Sequence, residues 1–564
     1  MREYQYITPY LIITLVLLAF NFIAVFGLHT IIDDDQTRYS TVINCNFPLM
    51  WLAKRNLLSP FLLYPFFYLM TISPALARLS ILLVWMIPIS LLFYYVSTKI
   101  LHVNVIASIT ASVLPCILPG QIFLPSFING SYMLPSLFFI IVTIIFWDRY
   151  LKIHGSAIKD LSVSIIAFLI ALLSSELSIF ILPPIIFLFY TKFGKNRKLI
   201  TISSILISAS LIKVITVILF PVSTNIVQFQ DVSVIWDRVL FIILYIDPFR
   251  FKPYSTAYYL LNGIILFIII TSYIILVKQK NNRSMTNNVL IYSPKEYLFV
   301  CNFSIIWFCF AILPFVYFSK LVAPRYFFYA GFGFYLLLAV SVSTLIFNLL
   351  PKINTYGKLI VAGICLTITI FSGTQRMIIQ KTYFRALNKN ARFLQEQFSD
   401  RNFPLNSQIV ILGKMGITTG GHYLWSCGYL QHTLKRNDLN GILPYEKNYY
   451  NPFDTIGGRN YTITMSGLSL KFPVFLFKKV GIKLKQYEYA LQWENPKSKD
   501  SQWVIYKFDT VKGASTIVSR SAGWSKYTEV IDSLAQAGIP QNMIMFGGRP
   551  TKEDIIRLGL TDCK

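Results

Sequence analysis

The sequence predicts a polytopic α-helical membrane protein of about eleven transmembrane helices, followed by a C-terminal extracytoplasmic domain of α/β or α+β type. Three observations predict this. Only 13% of the 564 residues are charged and 55% are hydrophobic, whereas an ordinary soluble protein carries about 25% charged residues. The deficit is uneven: residues 1–374 are a series of long apolar runs, and charge returns from Arg376 onward, where 26 of the 51 Lys and Arg and 14 of the 25 acidic residues lie. The cations of the first part also fall mostly in the short connections between apolar runs, the pattern that sets membrane orientation.

The apolar runs give the elements in order. Candidate spans are 8–29, 76–97, 103–119, 132–147, 161–174, 177–191, 199–220, 257–277, 298–318, 326–349 and 358–374. The first is too long for the hydrophobic region of a signal peptide and has no small-residue cleavage site after it, so it reads as a retained helix. The spans 161–174 and 177–191 are short, and the pair is compatible with a partly re-entrant hairpin. The run 57–73 is broken by Pro60 and Pro65 and followed by Pro74, and it reads as a segment lying along the membrane surface. Residues 221–256 form a long outer connection with an amphipathic stretch, Val232 to Phe241, which reads as an interfacial helix or as a gate.

With the N-terminus in the cytoplasm, fifteen cations fall in the short inner connections and nine in the longer outer ones. This asymmetry favours that orientation, and an odd number of spans then puts the tail outside. It also accounts for the net charge of +26 without nucleic acid, so no nucleic-acid partner is expected. The seven cysteines show no metal-ligand spacing. Cys116, Cys301, Cys309 and Cys365 lie in apolar runs, where a thiol acts as a small hydrophobe.

The same topology gathers polar residues at one membrane face. Asp33, Asp34 and Asp35 follow the first span directly, with Arg38 just beyond. Adjacent carboxylates repel one another, and at the bilayer centre each would cost about 2.5–3.5 kcal/mol. A loop start that merely ends a helix does not need three of them. Glu176 sits at the turn between two short spans, as a site residue or as a helix-capping neighbour. Arg325 and Tyr326 open the tenth span. That Arg can take a phosphate through two parallel hydrogen bonds or serve as an interfacial anchor. Lys213 lies inside an apolar run, either snorkelling to the interface or facing an anionic ligand. Carboxylates for base chemistry and cations for an anionic leaving group would share one mouth of the bundle.

These residues resemble the GT-C glycosyltransferases, membrane enzymes that use polyprenyl-phosphate sugars as donors. Many of them open the first outer loop with D-D-x-x-R or D-E-x-R-Y. Asp34-Asp35-Gln36-Thr37-Arg38 fits the first pattern, and Gln36 departs from the second. Many relatives also open a late span with Arg-Tyr, as Arg325-Tyr326 does. The resemblance implies a transmembrane catalytic domain over 1–374 and an extracytoplasmic domain over 375–564, in a bacterial cytoplasmic membrane. It implies inverting transfer of a sugar from the lipid phosphate to a cell-envelope glycan or another extracytoplasmic acceptor. Asp34 or Asp35 would be the general base, with Asp33, Arg38, Glu176, Lys213, Arg325 and Tyr326 binding substrate. No cofactor is required by this reading; some relatives use a divalent ion, and the Asp triplet offers oxygen ligands for Mg or Mn.

In the tail, 383–399 and Ser525 to Ala537 read as helices, and 408–412, 472–477, 503–508 and 543–546 as strands. The glycine-rich stretch 413–421 lacks the P-loop order and reads as a turn or binding loop. His422, Cys427 and His432 are spaced so that neighbours fall on different helix faces, against a metal site. A glycan polymerase or ligase is close in chemistry and stays open. So does a transporter or flippase of lipid-linked glycans, although that class tends to place ionisable residues at the midplane in repeated halves, and no internal repeat is found here.

The orientation is directly testable. In a chain whose seven native cysteines are replaced by Ser, a membrane-impermeant maleimide applied to intact cells is expected to label Ser501→Cys and to spare Lys280→Cys. Labelling of the second position alone overturns the orientation.

Overall fold

The computed structural model describes residues 2–29, 58–121, 124–126, 131, 133–152, 158–219, 256–281, 293–317, 327–349 and 354–399, and, in the tail, 408–412, 432, 435, 440–446, 462–465, 468–471, 489–492, 502–509 and 514–522. The chain divides into two compact units. One comprises Met1–Val25, Pro48–Pro65 and Arg78–Ile379; the other comprises Phe26–Phe47, Phe66–Ala77 and Gln380–Lys564.

The first unit is helical throughout its described residues. The helices of the chain are α1 (Arg2–Phe26), α2 (Ser59–Ile72), α3 (Pro74–Ile81), α4 (Ile87–Tyr95), α5 (Val105–Ile117), α6 (Met133–Lys152), α7 (Ile158–Ser174), α8 (Leu177–Phe193), α9 (Arg197–Leu219), α10 (Thr256–Asn281), α11 (Pro294–Tyr317), α12 (Phe328–Leu349) and α13 (Asn354–Ser399), of which α1, α2, α3 and α13 include residues assigned to the second unit. The π-helical turns Leu82–Met86 and Val96–Ile100 join α3 to α4 and extend α4, making one apolar run from Pro74 to Ile100. Every one of the eleven expected spans overlaps a helix. Among the described residues, eight helices are long and apolar enough to cross a membrane. The other three, α5, α7 and α8, are shorter, at 13, 17 and 17 residues.

Two expectations are corrected. The run 57–73 is not broken by its prolines. Pro60 sits in the first turn of α2, where its missing N–H costs nothing, Pro65 is accommodated inside the helix, and Pro74 starts α3. The last span does not stop at 374: α13 continues, and its apolar stretch runs Leu359–Lys381. Arg376 does not end it, for reasons given below.

Burial ranks the helices. The apolar window of α12 is 89% buried and that of α10 only 17%, so α12 is the centre of the unit and α10 its rim. Apolar helices gain little from the hydrophobic effect in a lipid environment, so close packing and interhelical hydrogen bonds fix the contacts. Asn104 caps α5 by accepting from Ala107 N at 2.9 Å, and its Nδ2 donates to Tyr297 Oη at 3.0 Å and Ser343 Oγ at 3.1 Å. One side chain thus joins α5, α11 and α12. Ser272 Oγ donates to Ser341 O at 2.7 Å between α10 and α12. Trp307 Nε1 donates to Tyr329 O at 2.9 Å between α11 and α12. Thr143 and Ser164 exchange hydroxyl-to-carbonyl bonds between α6 and α7.

The second unit contains a five-stranded sheet in the order β5-β2-β1-β6-β7, formed by β1 (Gln408–Leu412), β2 (Asn440–Glu446), β5 (Tyr489–Gln492), β6 (Gln502–Asp509) and β7 (Ala514–Ala522). The central strand β1 pairs in parallel with β2 and β6, and the outer pairs β2–β5 and β6–β7 are antiparallel. The sequence of β1, Gln-Ile-Val-Ile-Leu, is the near-continuous apolar run expected of a central parallel strand. A hairpin of β3 (Thr462–Met465) and β4 (Leu468–Lys471) stands apart from that sheet. β1 and β6 fall on two of the expected strands. The expected strands at 472–477 and 543–546, the helix from Ser525 to Ala537, the turn 413–421, His422 and Cys427 lie outside the described residues.

The α11–α12 contact yields a test. A Cβ on Gly333 would stand 2.7 Å from Trp307 Cδ1 and 3.1 Å from Phe308 N and Ser304 O. The indole is anchored by its hydrogen bond and the other two atoms are backbone, so neither side can give way cheaply. Gly333→Ala is expected to lower stability by about 1–3 kcal/mol, read as earlier thermal unfolding of the detergent-solubilised protein.

Candidate functional site

Of the expected site residues, Asp33, Asp34, Asp35, Arg38, Arg325 and Tyr326 lie outside the described residues. Glu176 and Lys213 are described.

Glu176 stands at the N-cap position of α8, with φ −62° and ψ −21° and no capping bond from its side chain. The local amide is served by its neighbour: Leu177 N donates to Ser175 Oγ at 3.3 Å. The turn is held by small polar side chains from three directions. Ser59 Oγ donates to Ser174 O, and Leu58 N donates to Leu173 O at 3.1 Å. Ser136 Oγ donates to Ala171 O at 3.0 Å and lies 2.6 Å from Ser178 Oγ. The run Ser174-Ser175-Glu176-Leu177-Ser178 therefore folds as a serine-stapled turn. Its single carboxylate is half-buried, and among the described residues no hydrogen bond or ion pair to it is found. The capping role weighed from sequence does not occupy it.

Lys213, on α9, is enclosed by protein, with 7% of its surface exposed. Beside it, Ser210, Leu211 and Val214 line an almost wholly apolar groove of about 490 Å³, whose opposite wall is Ile179, Leu182 and Pro183 of α8. The groove thus runs between α8 and α9, and neither Glu176 nor Lys213 is among the residues that line it.

Two buried arginines were not singled out from sequence as site residues. Arg78 and Arg376 are 1% and 0% exposed. Arg376 Nη1 donates to Asn21 Oδ1 at 2.7 Å and to Cys116 O at 2.8 Å, and Nη2 donates to Leu124 O. Arg78 Nε donates to Ser126 O at 3.2 Å. Both therefore hold the backbone that follows α5. That helix is only about 20 Å long at 1.5 Å per residue, too short to cross a bilayer core of about 30 Å. Its terminal carbonyls lack helical partners. A guanidinium there satisfies one of them and opposes the negative end of the helix dipole. Irregular backbone at such depth is tolerated only where protein satisfies it, and Leu118, Gln121, Leu124 and Ser126 are all buried. The signal that exposed Lys213, a charge inside an apolar run, was available for Arg376 as well, since Met377, Ile378 and Ile379 continue the run beyond it.

Among the described residues no group of three or more His, Cys, Asp or Glu is placed to hold a metal.

No family model matches the chain, and no curated protein matches it. Among solved structures, the chain is similar to the crystal structure of the Archaeoglobus fulgidus oligosaccharyltransferase in complex with Zn and sulfate, at 13% identity and a TM-score of 0.39, covering 88% of this chain and 68% of that one. A likeness that weak fixes neither activity, nor metal, nor site residues.

The arginine clamp predicts a large effect from one substitution. Arg376→Leu leaves Cys116 O, Leu124 O and Asn21 Oδ1 without their donor and is expected to cost about 3 kcal/mol or more. Arg376→Lys, which keeps the charge but reaches fewer acceptors, is expected to fall between. Thermal unfolding in detergent measures both, and wild-type behaviour of the Leu variant would remove the clamp.

Proposed function

We propose that the protein is a membrane glycosyltransferase that moves a sugar from a polyprenyl-phosphate donor to a cell-envelope glycan or another extracytoplasmic acceptor, with inversion. The observation that carries the reading is the sequence Asp34-Asp35-Gln36-Thr37-Arg38, a few residues past the end of α1, in a chain whose first part is a bundle of apolar helices. On this reading the helices make eleven spans with the N-terminus in the cytoplasm of a bacterial cell. The first part of the chain, read from sequence as 1–374 and carried on by α13 to Lys381, is the catalytic domain, and the tail that follows, read as 375–564, forms a domain outside the membrane.

The chemistry follows from the residue types. An acceptor hydroxyl oxygen attacks the anomeric carbon from the face opposite the lipid phosphate. Asp34 or Asp35 takes its proton. The bond between the anomeric carbon and the phosphate oxygen breaks, and the lipid phosphate leaves with the electron pair. Arg325 and Arg38, with Lys213, offset the charge that develops on it. Glu176 and Asp33 bind sugar hydroxyls as acceptors, and Tyr326 supplies a ring for the sugar face. Three adjacent carboxylates are a hard oxygen donor set that suits Mg or Mn; such an ion would lie at Asp33 to Asp35 and offset charge there.

The test is Asp34→Asn and Asp35→Asn in proteoliposomes supplied with polyprenyl-phosphate sugars and an envelope glycan acceptor. Loss of the base is expected to slow transfer by about 10²–10⁴-fold for one of the two, with expression and thermal stability unchanged. Full transfer by both variants and by the double variant removes the enzyme reading. Undiminished movement of the intact lipid-linked sugar across the bilayer, without transfer, would favour a flippase instead.

A further inference from the structure

The opposite ends of α6 to α9 carry a second polar assembly that the proposed activity does not use. Asp148, near the end of α6, is 4% exposed and accepts from Lys152 Nζ at 2.6 Å and Lys192 Nζ at 2.7 Å. Lys192 Nζ also donates to Ile100 O at 3.2 Å, tying the π-turn after α4 to the end of α8. Arg149 Nε reaches Asp160 Oδ1 only at 3.8 Å, with its side chain 56% exposed. Lys198 Nζ lies 5.1 Å from the centre of the Tyr150 ring, which brings the start of α9 to the end of α6.

The turn between α8 and α9 fixes this arrangement. Gly194 adopts φ 67°, a left-handed conformation that glycine takes without steric cost, and its N–H closes α8 on Tyr190 O at 2.9 Å. Asn196 Oδ1 then accepts from Lys198 N at 2.9 Å and opens α9. Lys192, Lys195, Arg197 and Lys198 are thereby compressed into one tight hairpin.

The carboxylates and cations of this face are sorted by depth. Asp148 and Asp160, the two acidic residues on these helix ends, are both buried. Arg149, Lys152, Lys159, Lys195 and Arg197 are exposed. What the face presents outward is therefore cationic. Immediately beside these cations, Ile158, Tyr190 and Ile200 are 68%, 56% and 49% exposed. A cationic rim against exposed apolar side chains matches the two parts of a phospholipid, an anionic headgroup and its acyl chains. A polyanion such as RNA would gain nothing from the isoleucines.

We infer that the face formed by the ends of α6, α7, α8 and α9 is a binding surface for anionic phospholipid, with Arg149, Arg197 and their neighbours taking the phosphodiester and Ile158, Tyr190 and Ile200 lying along the chains. The inference is independent of the glycosyltransfer reading and of which membrane face is cytoplasmic.

Native mass spectrometry of the full chain in non-ionic detergent, titrated with phosphatidylglycerol or phosphatidylcholine, tests it. Wild type is expected to retain phosphatidylglycerol in clear preference. At roughly 1 kcal/mol per surface cation, Arg149→Gln with Arg197→Gln is expected to cut that preference about thirtyfold. Lys159→Gln with Lys195→Gln, also at exposed side chains, is expected to act in the same direction and covers the case in which the first pair fails to fold. Lys278→Gln with Lys280→Gln, at the end of α10, is expected to leave the preference unchanged. Equal retention of the two lipids overturns the proposal. So does a preference that survives both exposed-residue pairs or falls equally with the α10 pair. Displacement of the lipid by equimolar inorganic phosphate would mark a general anion site, and displacement by a short RNA a nucleic-acid surface; either outcome overturns it as well.

Discussion

The guanidinium of Arg376 has no exposed surface, and the oxygens it bonds belong to Asn21, Cys116 and Leu124, none of them a carboxylate. Much of the first unit depends on that arrangement. An unpaired charge inside a bundle is costly, so this cation persists because several neutral dipoles point at it. Those dipoles come from places that would otherwise need partners of their own: a helix that stops short and the irregular backbone after it. The cost of burying the charge and the cost of ending α5 inside the protein offset one another. Arg78, bonded to Ser126 O, continues the same logic a few residues further along. Together they let a chain leave helical geometry where water is not at hand to satisfy it.

The other end of the bundle handles charge differently. Asp148 is buried but shared between two lysines, and both lysines sit near helix C-termini, where the backbone dipole favours a cation. There the acids face inward and the cations outward. Around Arg376, by contrast, the buried charge is positive and its partners are neutral oxygens. These are two solutions to one constraint, set by whether the local backbone offers spare carbonyls. At the end of α5 it does, so a cation suffices. At the ends of α6 and α8 cations crowd together, and a buried carboxylate spaces them.

Much of this helical layout was legible in the sequence because a lipid-facing or core helix needs a long apolar run, and all eleven runs fall on helices. Boundaries were less legible where polar residues are satisfied inside the protein. Arg376 was read as the first residue of a soluble tail because charge density rises there. The helix runs through it, since hydrogen bonds to Asn21 and to two carbonyls remove the penalty that would have ended the span. Sequence shows a charge but not its partners, and the partners come from residues 48 to 355 positions away. The prolines of this segment mislead in the opposite direction: Pro60 falls in the first turn of α2 and Pro74 begins α3, positions where proline does no harm, and α2 runs on through Pro65. For the candidate site, the acidic triplet is a sequence feature whose geometry is outside the described residues, whereas Glu176 and Lys213 can be weighed against what surrounds them.

That weighing separates two meanings of a polar residue at a helix start. A carboxylate at an N-cap ordinarily earns its place by accepting from a free amide in the first turn. At the start of α8 the amide of Leu177 goes to Ser175, and serines of α2, α6 and α8 hold the rest of the turn. Local structure is satisfied without Glu176. Among the described residues, then, the half-buried carboxylate of Glu176 is not used by the turn that holds it. Lys213 is enclosed by protein beside an apolar groove, where a cation must be held by the groups around it rather than by bulk water. The two residues therefore differ in kind: Glu176 is a carboxylate that its own turn does not use as a cap, whereas Lys213 is a cation enclosed by the protein around it, and a letter in the sequence cannot tell these two situations apart.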